Sequence, residues 1–259
     1  MSKFLNIALI QSKLAWENPQ QNRADFSKKI ESLDATVDLV VLPEMFTSGF
    51  TMNPSHVAET MEGETISWLK TVATKKQIAI TGSVVISENG NYYNRMVFVH
   101  PNGSIEQYDK RHTFTLAGED KVYTAGDKKL IVDYKGWKIC PLICYDLRFP
   151  VWSRNVENYD LLIYVANWPA SRMVAWDTLL KARAIENMSY CVGVNRVGTD
   201  DNNHEYSGHS AAYDVLGNRL DNIPFDEEAI EIVSLKKDDI TTYRDKLSFL
   251  SDQDQFSIK

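Results

Sequence analysis

Glu44, Lys110 and Cys144 are the residues whose types and positions could do chemistry together. Each stands at or just beyond the end of a predicted strand: Glu44 after Leu39–Pro43, Lys110 after Ser104–Asp109, Cys144 after Trp137–Ile143. Strand ends are where a sheet delivers side chains from distant parts of a chain into one cleft. Cys144 lies in Pro141–Pro150, where the sequence turns polar at Asp146 and Arg148 and a helix is expected near Pro150. That layout is a strand-to-helix turn of the nucleophile-elbow kind. A neighbouring cation or helix N-terminus would lower the thiol pKa and favour the thiolate. The plain alternative is a buried structural cysteine. Glu44 sits between apolar neighbours, where a carboxylate is costly unless paired. A lysine would satisfy it, although such a pair can also be purely structural, and a lysine taken alone is usually a surface residue. His112 is a weak candidate for a base beside Cys144. The five histidines show no metal-ligand spacing, and the three residues between Cys140 and Cys144 do not make a redox motif.

The elements that must position these residues are readable from periodicity and turn chemistry. Leu5–Gln11 reads as a strand. Asn18 and Pro19 then open a helix carrying Phe26, Ile30 and Leu33 on one face. Leu39–Leu42 is a short buried strand, and Ile66, Leu69 and Ala73 mark a second helix. Asn89-Gly90 joins the runs Ile78–Ile86 and Tyr92–His100, Asn102-Gly103 leads into Ser104–Tyr108, and Lys135-Gly136 leads into Trp137–Ile143. Leu161–Val165 is a buried run, followed by a helix over Met173–Asn187. Cys191–Val197, Ser210–Tyr213 and Ala229–Ser234 read as strands, Thr199–Gly208 as a polar loop, and a last short helix begins near Lys237. Hairpins mixed with helices imply sheets that are not purely parallel, covered by helices on the outside.

Bulk properties narrow the class. The 259 residues are 44% hydrophobic and 24% charged, the profile of a globular chain able to bury a sizeable core. The net charge of −7 and the lack of a basic run argue against non-specific nucleic-acid binding. Three cysteines make a poor disulfide framework and suit a reducing, cytoplasmic setting. The apolar run Ile7–Ile10 is too short for a signal peptide, and no stretch is long enough to span a membrane. No linker or repeat divides the sequence, so one domain over 1–259 is expected, with a core of about 4–235 and a C-terminal helix and tail over 236–259.

Pro43-Glu44-Met45-Phe46, Asp109-Lys110-Arg111-His112 and Cys144–Pro150 occur in that order, with intervals of 66 and 34 residues between the three reactive positions. In these the chain resembles the nitrilase superfamily. Through Cys144–Asn155, Val165–Pro169 and Ala182–Asn187 it is similar to the ω-amidase-like branch. The resemblance implies an α/β fold, the four-layer αββα sandwich, assembled as a homodimer or larger homo-oligomer through a helical face, with no metal or organic cofactor. It implies hydrolysis of the terminal amide of small 2-oxo acid amides: 2-oxoglutaramate, 2-oxosuccinamate or the methionine-related amide. Cys144 matches the nucleophile, Lys110 the oxyanion-stabilising lysine, Glu44 the general base and acid, and Glu119 a supporting glutamate. The backbone N–H of Tyr145 is the expected second oxyanion donor. Arg172 and Arg148 are candidates to grip the substrate carboxylate, Arg148 alternatively being tied to Asp146 or Glu186. Trp168 and Phe114 are expected as apolar walls or plain core. Rival readings are an N-carbamoyl or aliphatic amide hydrolase, a true nitrilase, a catalytically silent assembly module, and a thiol sensor built on Cys140 and Cys144.

Overall fold

A computed structural model describes residues 3–258; residues 1–2 and 259, the ends of the expected domain, lie outside them. The first strand, β1 (Phe4–Gln11), shows how the layers arise. Leu5, Ile7 and Leu9 point into one core and Ala8 and Ile10 into another, as a period of two requires. Helix α1 (Pro19–Glu31) is capped by the Asn18 side chain, which accepts the Gln21 N–H at 3.0 Å. After β2 (Leu39–Val41) come the short α2 (Pro54–Val57) and α3 (Glu64–Lys76). Strands β3 (Ala79–Glu88) and β4 (Asn91–Val99) are joined by Asn89 and Gly90 at φ of 51° and 79°, the left-handed pair that matches strand twist. Next are β5 (Ile105–Asp109), β6 (Val132–Tyr134), β7 (Trp137–Ile143), α4 (Pro150–Ser153), β8 (Leu161–Ala166) and α5 (Met173–Asn187). The chain closes with β9 (Tyr190–Asn195), β10 (Val197–Thr199), β11 (Glu205–Ser207), β12 (Ala211–Tyr213), β13 (Ala229–Lys236) and α6 (Lys237–Leu247).

Two mixed sheets result, ordered β13-β1-β2-β3-β4-β5 and β12-β9-β8-β7-β6. Their inner faces share one core in which Leu5, Ile7 and Phe98 of the first sheet meet Ile139, Ile143 and Ile163 of the second. Phe26 and Ile30 of α1 with Ile66 and Leu69 of α3 cover the outer face of the first sheet. Trp176 and Leu180 of α5 cover the second so closely that a Cβ at Gly193 in β9 would lie 2.5 Å from Leu180. This is the expected αββα arrangement. Among the described residues no helix is long and apolar enough to cross a membrane.

The parallel runs β1-β2-β3 and β7-β8-β9 leave their carboxyl ends at one edge of the sandwich, where open α/β sheets place ligands. The expected polar loop Thr199–Gly208 differs: Glu205–Ser207 pairs antiparallel with Val197–Thr199 to form a hairpin. Three-residue strands rich in polar side chains carry no readable period, so their pairing is set by tertiary contacts. The single expected strand Cys191–Val197 is correspondingly split at Arg196 into β9 and β10.

Candidate active site

Glu44 leaves the end of β2 through Pro43 and is fully buried. The next residue, Met45, has φ of 42° and donates its N–H to Ser83 Oγ at 2.8 Å, which pins the turn. Asn167, just past the end of β8, donates its backbone N–H to Glu44 Oε2 at 2.8 Å and its side-chain amide to the Glu44 carbonyl at 2.6 Å. Lys110 leaves β5 with its N–H on the Asn94 carbonyl, 3.0 Å, and places Nζ 2.9 Å from Glu44 Oε1 and 3.0 and 2.9 Å from the two Glu119 oxygens. Asn94 of β4 donates to Glu44 Oε1 at 2.8 Å and to Glu119 Oε1 at 3.3 Å. Glu119, from the irregular segment after Lys110, also accepts the Phe114 N–H. Glu44, Lys110 and Glu119 therefore form one buried cluster. Glu119 is joined to it as firmly as Glu44, although its sequence context is the least regular of the three.

Cys144 sits at φ of 44°, a left-handed conformation that a residue with a Cβ adopts only under constraint. The constraint is visible. Asp146 is buried and accepts the Ile143 N–H at 3.0 Å, the Tyr108 hydroxyl at 2.7 Å and the His112 N–H at 3.0 Å. Arg183 of α5 donates to the Leu147 carbonyl at 2.6 Å. Asp146 thus ties the lysine-bearing segment to the cysteine turn. His112 places Nδ1 2.8 Å from the same carboxylate and stacks on Phe149 at 3.7 Å between centroids, so it orients the turn and is not the base for Cys144. Cys140 is buried in β7, four residues back along extended chain, about 13 Å at strand rise and beyond disulfide reach. That removes the thiol-sensor reading.

The electrostatics correct one expectation. The turn after β7 is a 3-10 helix, Cys144–Arg148, with only the four-residue α4 beyond it, so the chain that follows Cys144 offers no long helix starting at the thiol. Burial pushes the Cys144 thiol well above the usual thiol range. The Glu44 charge pushes the same way, and Lys110 opposes it without prevailing. Burial is the largest of these effects, and with two carboxylates facing one ammonium the thiol proton is held more tightly than in a free cysteine. Burial also works against the Lys110 charge, but Glu119 and Glu44 outweigh it and hold the ammonium above its ordinary pKa. Glu119 is raised by burial and by Glu44, with Lys110 pulling it down.

Above Cys144 and Lys110 lies a small cavity of about 80 Å³, open at its mouth. Phe50, Phe114, Trp168 and Tyr206 give it apolar walls, and Tyr145, wedged edge-on between Phe114 and Phe149, also lines it. The Tyr145 N–H lies in the first turn of the 3-10 helix, where amides lack a partner within the helix. Arg148 lies over the Trp168 ring and Arg172 over the Phe114 ring, each at 4.9 Å. Among the described residues neither guanidinium has a carboxylate partner. The expected structural partners of Arg148 are taken: Asp146 as above, and Glu186 by Arg183 at 2.8 Å. A guanidinium held over a ring and free of a carboxylate partner keeps N–H donors for the carboxylate a ligand brings.

Every expected site residue comes to this one place. Sequence reasoning missed Asn94, Asn167, Phe50, His204 and Tyr206. Asn94 carried a signal, a buried amide in the middle of a strand, where Asn is disfavoured. Asn167 carried the same strand-end signal as Glu44.

The Carbon-nitrogen hydrolase family model matches residues 6–245. An omega-amidase, YafV, of Yersinia enterocolitica is 44% identical over 252 residues, 97% of this chain and 98% of that protein. A 2-oxoglutaramate amidase of Bacillus subtilis is 35% identical over 221 residues, 83% and 84% of the two chains. The crystal structure of XC1258 from Xanthomonas campestris, a CN-hydrolase superfamily protein with an arsenic adduct in the active site, superposes with a TM-score of 0.97 at 40% identity, covering 100% of both chains.

Proposed function

The chain belongs to the carbon-nitrogen hydrolase family, and on that footing we propose that it is an ω-amidase, releasing ammonia from the terminal carboxamide of a small 2-oxo acid such as 2-oxoglutaramate. The observation that carries this reading is the buried Glu44–Lys110–Glu119 cluster beside Cys144, set under a cavity whose two arginines have no carboxylate partner among the described residues. The relatives named omega-amidase and 2-oxoglutaramate amidase support it.

In the proposed reaction the Cys144 sulfur attacks the amide carbon as its proton passes to the neighbouring Glu44 carboxylate. A C–S bond forms, and the carbonyl π electrons move to oxygen. The Lys110 ammonium and the Tyr145 N–H stabilise that oxyanion, at about 3–4 kcal/mol for a donor of this kind. Glu44 then protonates the nitrogen, the C–N bond breaks, and ammonia leaves a thioester. Water attacks the thioester as Glu44 takes one of its protons. The C–S bond breaks, Glu44 returns the proton to sulfur, and the acid departs. Glu119 accepts two hydrogen bonds from Lys110 and keeps the ammonium aimed while Glu44 is transiently neutral.

Arg172 and Arg148 hold the substrate carboxylate, and Trp168 and Phe114 face its carbon chain. The reading takes residues 1–259 as one hydrolase domain. It places the enzyme in the cytoplasm, supported by three unpaired cysteines. It also takes the protein as a homodimer or larger homo-oligomer, supported by the exposed apolar side chains Val151, Phe249 and Phe256 around one groove.

The test is ammonia release from 2-oxoglutaramate and from succinamate by wild type and Cys144→Ala. Release by wild type that the substitution abolishes is the expected result. No release from either amide would discard the ω-amidase reading.

A further inference from the structure

We infer that the β10–β11 hairpin gauges substrate chain length, with Tyr206 as the specificity-determining side chain and Asp200 as the residue that positions it. The inference rests on the ω-amidase reading and adds to it a determinant of which homologous amide is preferred.

The polar stretch Asp200–His204 is organised by one carboxylate. Asp200 Oδ1 accepts the N–H groups of Asn202 and His204, both at 2.9 Å, and Oδ2 accepts the Tyr206 hydroxyl at 2.9 Å. On the ring face of Tyr206 lies the Arg196 guanidinium, 4.6 Å from the centroid. Arg196 is itself 1% exposed and anchored on the Leu14 and Thr199 carbonyls. The Tyr206 backbone pairs with Gly198 across the hairpin. The ring is therefore held at its tip, its face and its backbone, which makes it a wall and not a swinging lid.

Its place matters as much as its rigidity. The cavity opens into a wider outer recess, and the two share Phe50, Phe114, Arg172 and His204, whereas Tyr206 and Cys144 line only the inner part. Strand β11 packs against the turn Ala170–Arg172, so the wall and one of the carboxylate-holding cations move as one body. A substrate must place its amide carbon at Cys144 and its carboxylate at the arginines. The hairpin sets how much chain fits between those two fixed points.

The experiment compares kcat/KM for 2-oxosuccinamate, 2-oxoglutaramate and the homologue one methylene longer, in wild type, Tyr206→Ala and Tyr206→Phe. Tyr206→Ala should shift the ratio of the longest amide to 2-oxoglutaramate at least about tenfold toward the longer one, the lower bound for one methylene in an apolar pocket. Tyr206→Phe keeps the ring and should leave the ratio near wild type. If Tyr206→Ala does not fold, Tyr206→Leu makes a smaller opening and should shift the ratio the same way by less. An unmoved ratio, or an equal loss on all three amides, would overturn the gauge while leaving the ω-amidase reading intact. Wild type inactive on all three would overturn both.

Discussion

One cavity holds two kinds of cation. Lys110 is 1% exposed and lies against three carboxylate oxygens at 2.9 to 3.0 Å. Arg148 and Arg172, a few residues beyond Cys144 and Asn167, lie over aromatic rings and have no carboxylate partner among the described residues. A buried ammonium is tolerable only because Glu44 and Glu119 cancel it. A guanidinium at a pocket wall needs no such cancellation, because its face lies on a ring and its edge meets solvent until a ligand arrives. The difference separates chemistry from recognition. On the proposed reading the cancelled cation serves charge that develops within the reaction, and the uncancelled ones serve charge that the substrate brings in.

The strongest way to break that division is to disturb the cancelled side. Cys144→Ala should lower kcat by about 10⁴-fold or more, as loss of a nucleophile does, with folding stability close to wild type by urea titration. Lys110→Met should lower kcat by about 10²- to 10³-fold. It should also cost about 3–5 kcal/mol of stability, because it leaves two buried carboxylates facing each other. Adding Glu119→Gln to Lys110→Met should recover part of that stability and none of the activity. A Lys110→Met protein as stable as wild type would show that the cluster is not held by charge cancellation.

On the uncancelled side the signature is different. Arg172→Met should raise KM for 2-oxoglutaramate by about tenfold to a hundredfold, the worth of a hydrogen bond to a charged group. It should leave KM for a neutral amide of similar length nearly unchanged, and Tm within the range of an ordinary surface substitution. Equal effects on charged and neutral amides would remove Arg172 from the carboxylate site and leave Arg148 to hold it.

How much of this was legible in the sequence follows from where each residue sits. The αββα layering came from the family resemblance; what the residues themselves made readable was the elements, β1, β3 and β4 as apolar runs, α1 and α3 at helical spacing, and Asn89-Gly90 and Lys135-Gly136 as turns whose φ values are positive. Glu44, Lys110 and Cys144 were legible as polar residues ending apolar runs. The upward shift of the Cys144 pKa was not, because it comes first from burial and then from the Glu44 charge brought in from a distant segment, and a count of nearby cations along the chain misses both. The hairpin around Tyr206 was not legible either. Its strands have three residues each, and its order comes from the Asp200 side chain and from Arg196, neither of which leaves a periodic trace.

The smallest effect probes the sulfur itself. Burial is the largest cause of the raised Cys144 pKa, with the Glu44 charge adding to it and Lys110 acting against both. The thiolate absorbance of wild type, read against Cys144→Ser, should therefore show no step up to the ordinary thiol pKa of about 8.5. Glu44→Gln removes one negative charge, so its thiolate should appear at lower pH than in wild type, yet still above the ordinary value because burial remains. The sign carries over to stability. A group whose folded pKa is raised contributes fully below its unfolded pKa, and that contribution is lost as pH rises toward the folded one. Wild type should thus lose stability on the alkaline side of about 8.5, and Cys144→Ser should not lose that portion. A wild-type thiolate step below that pH would mean that Lys110 overrides both carboxylates. Its charge would then be spent on the resting sulfur, and the division between cancelled and uncancelled cations would fail at its centre.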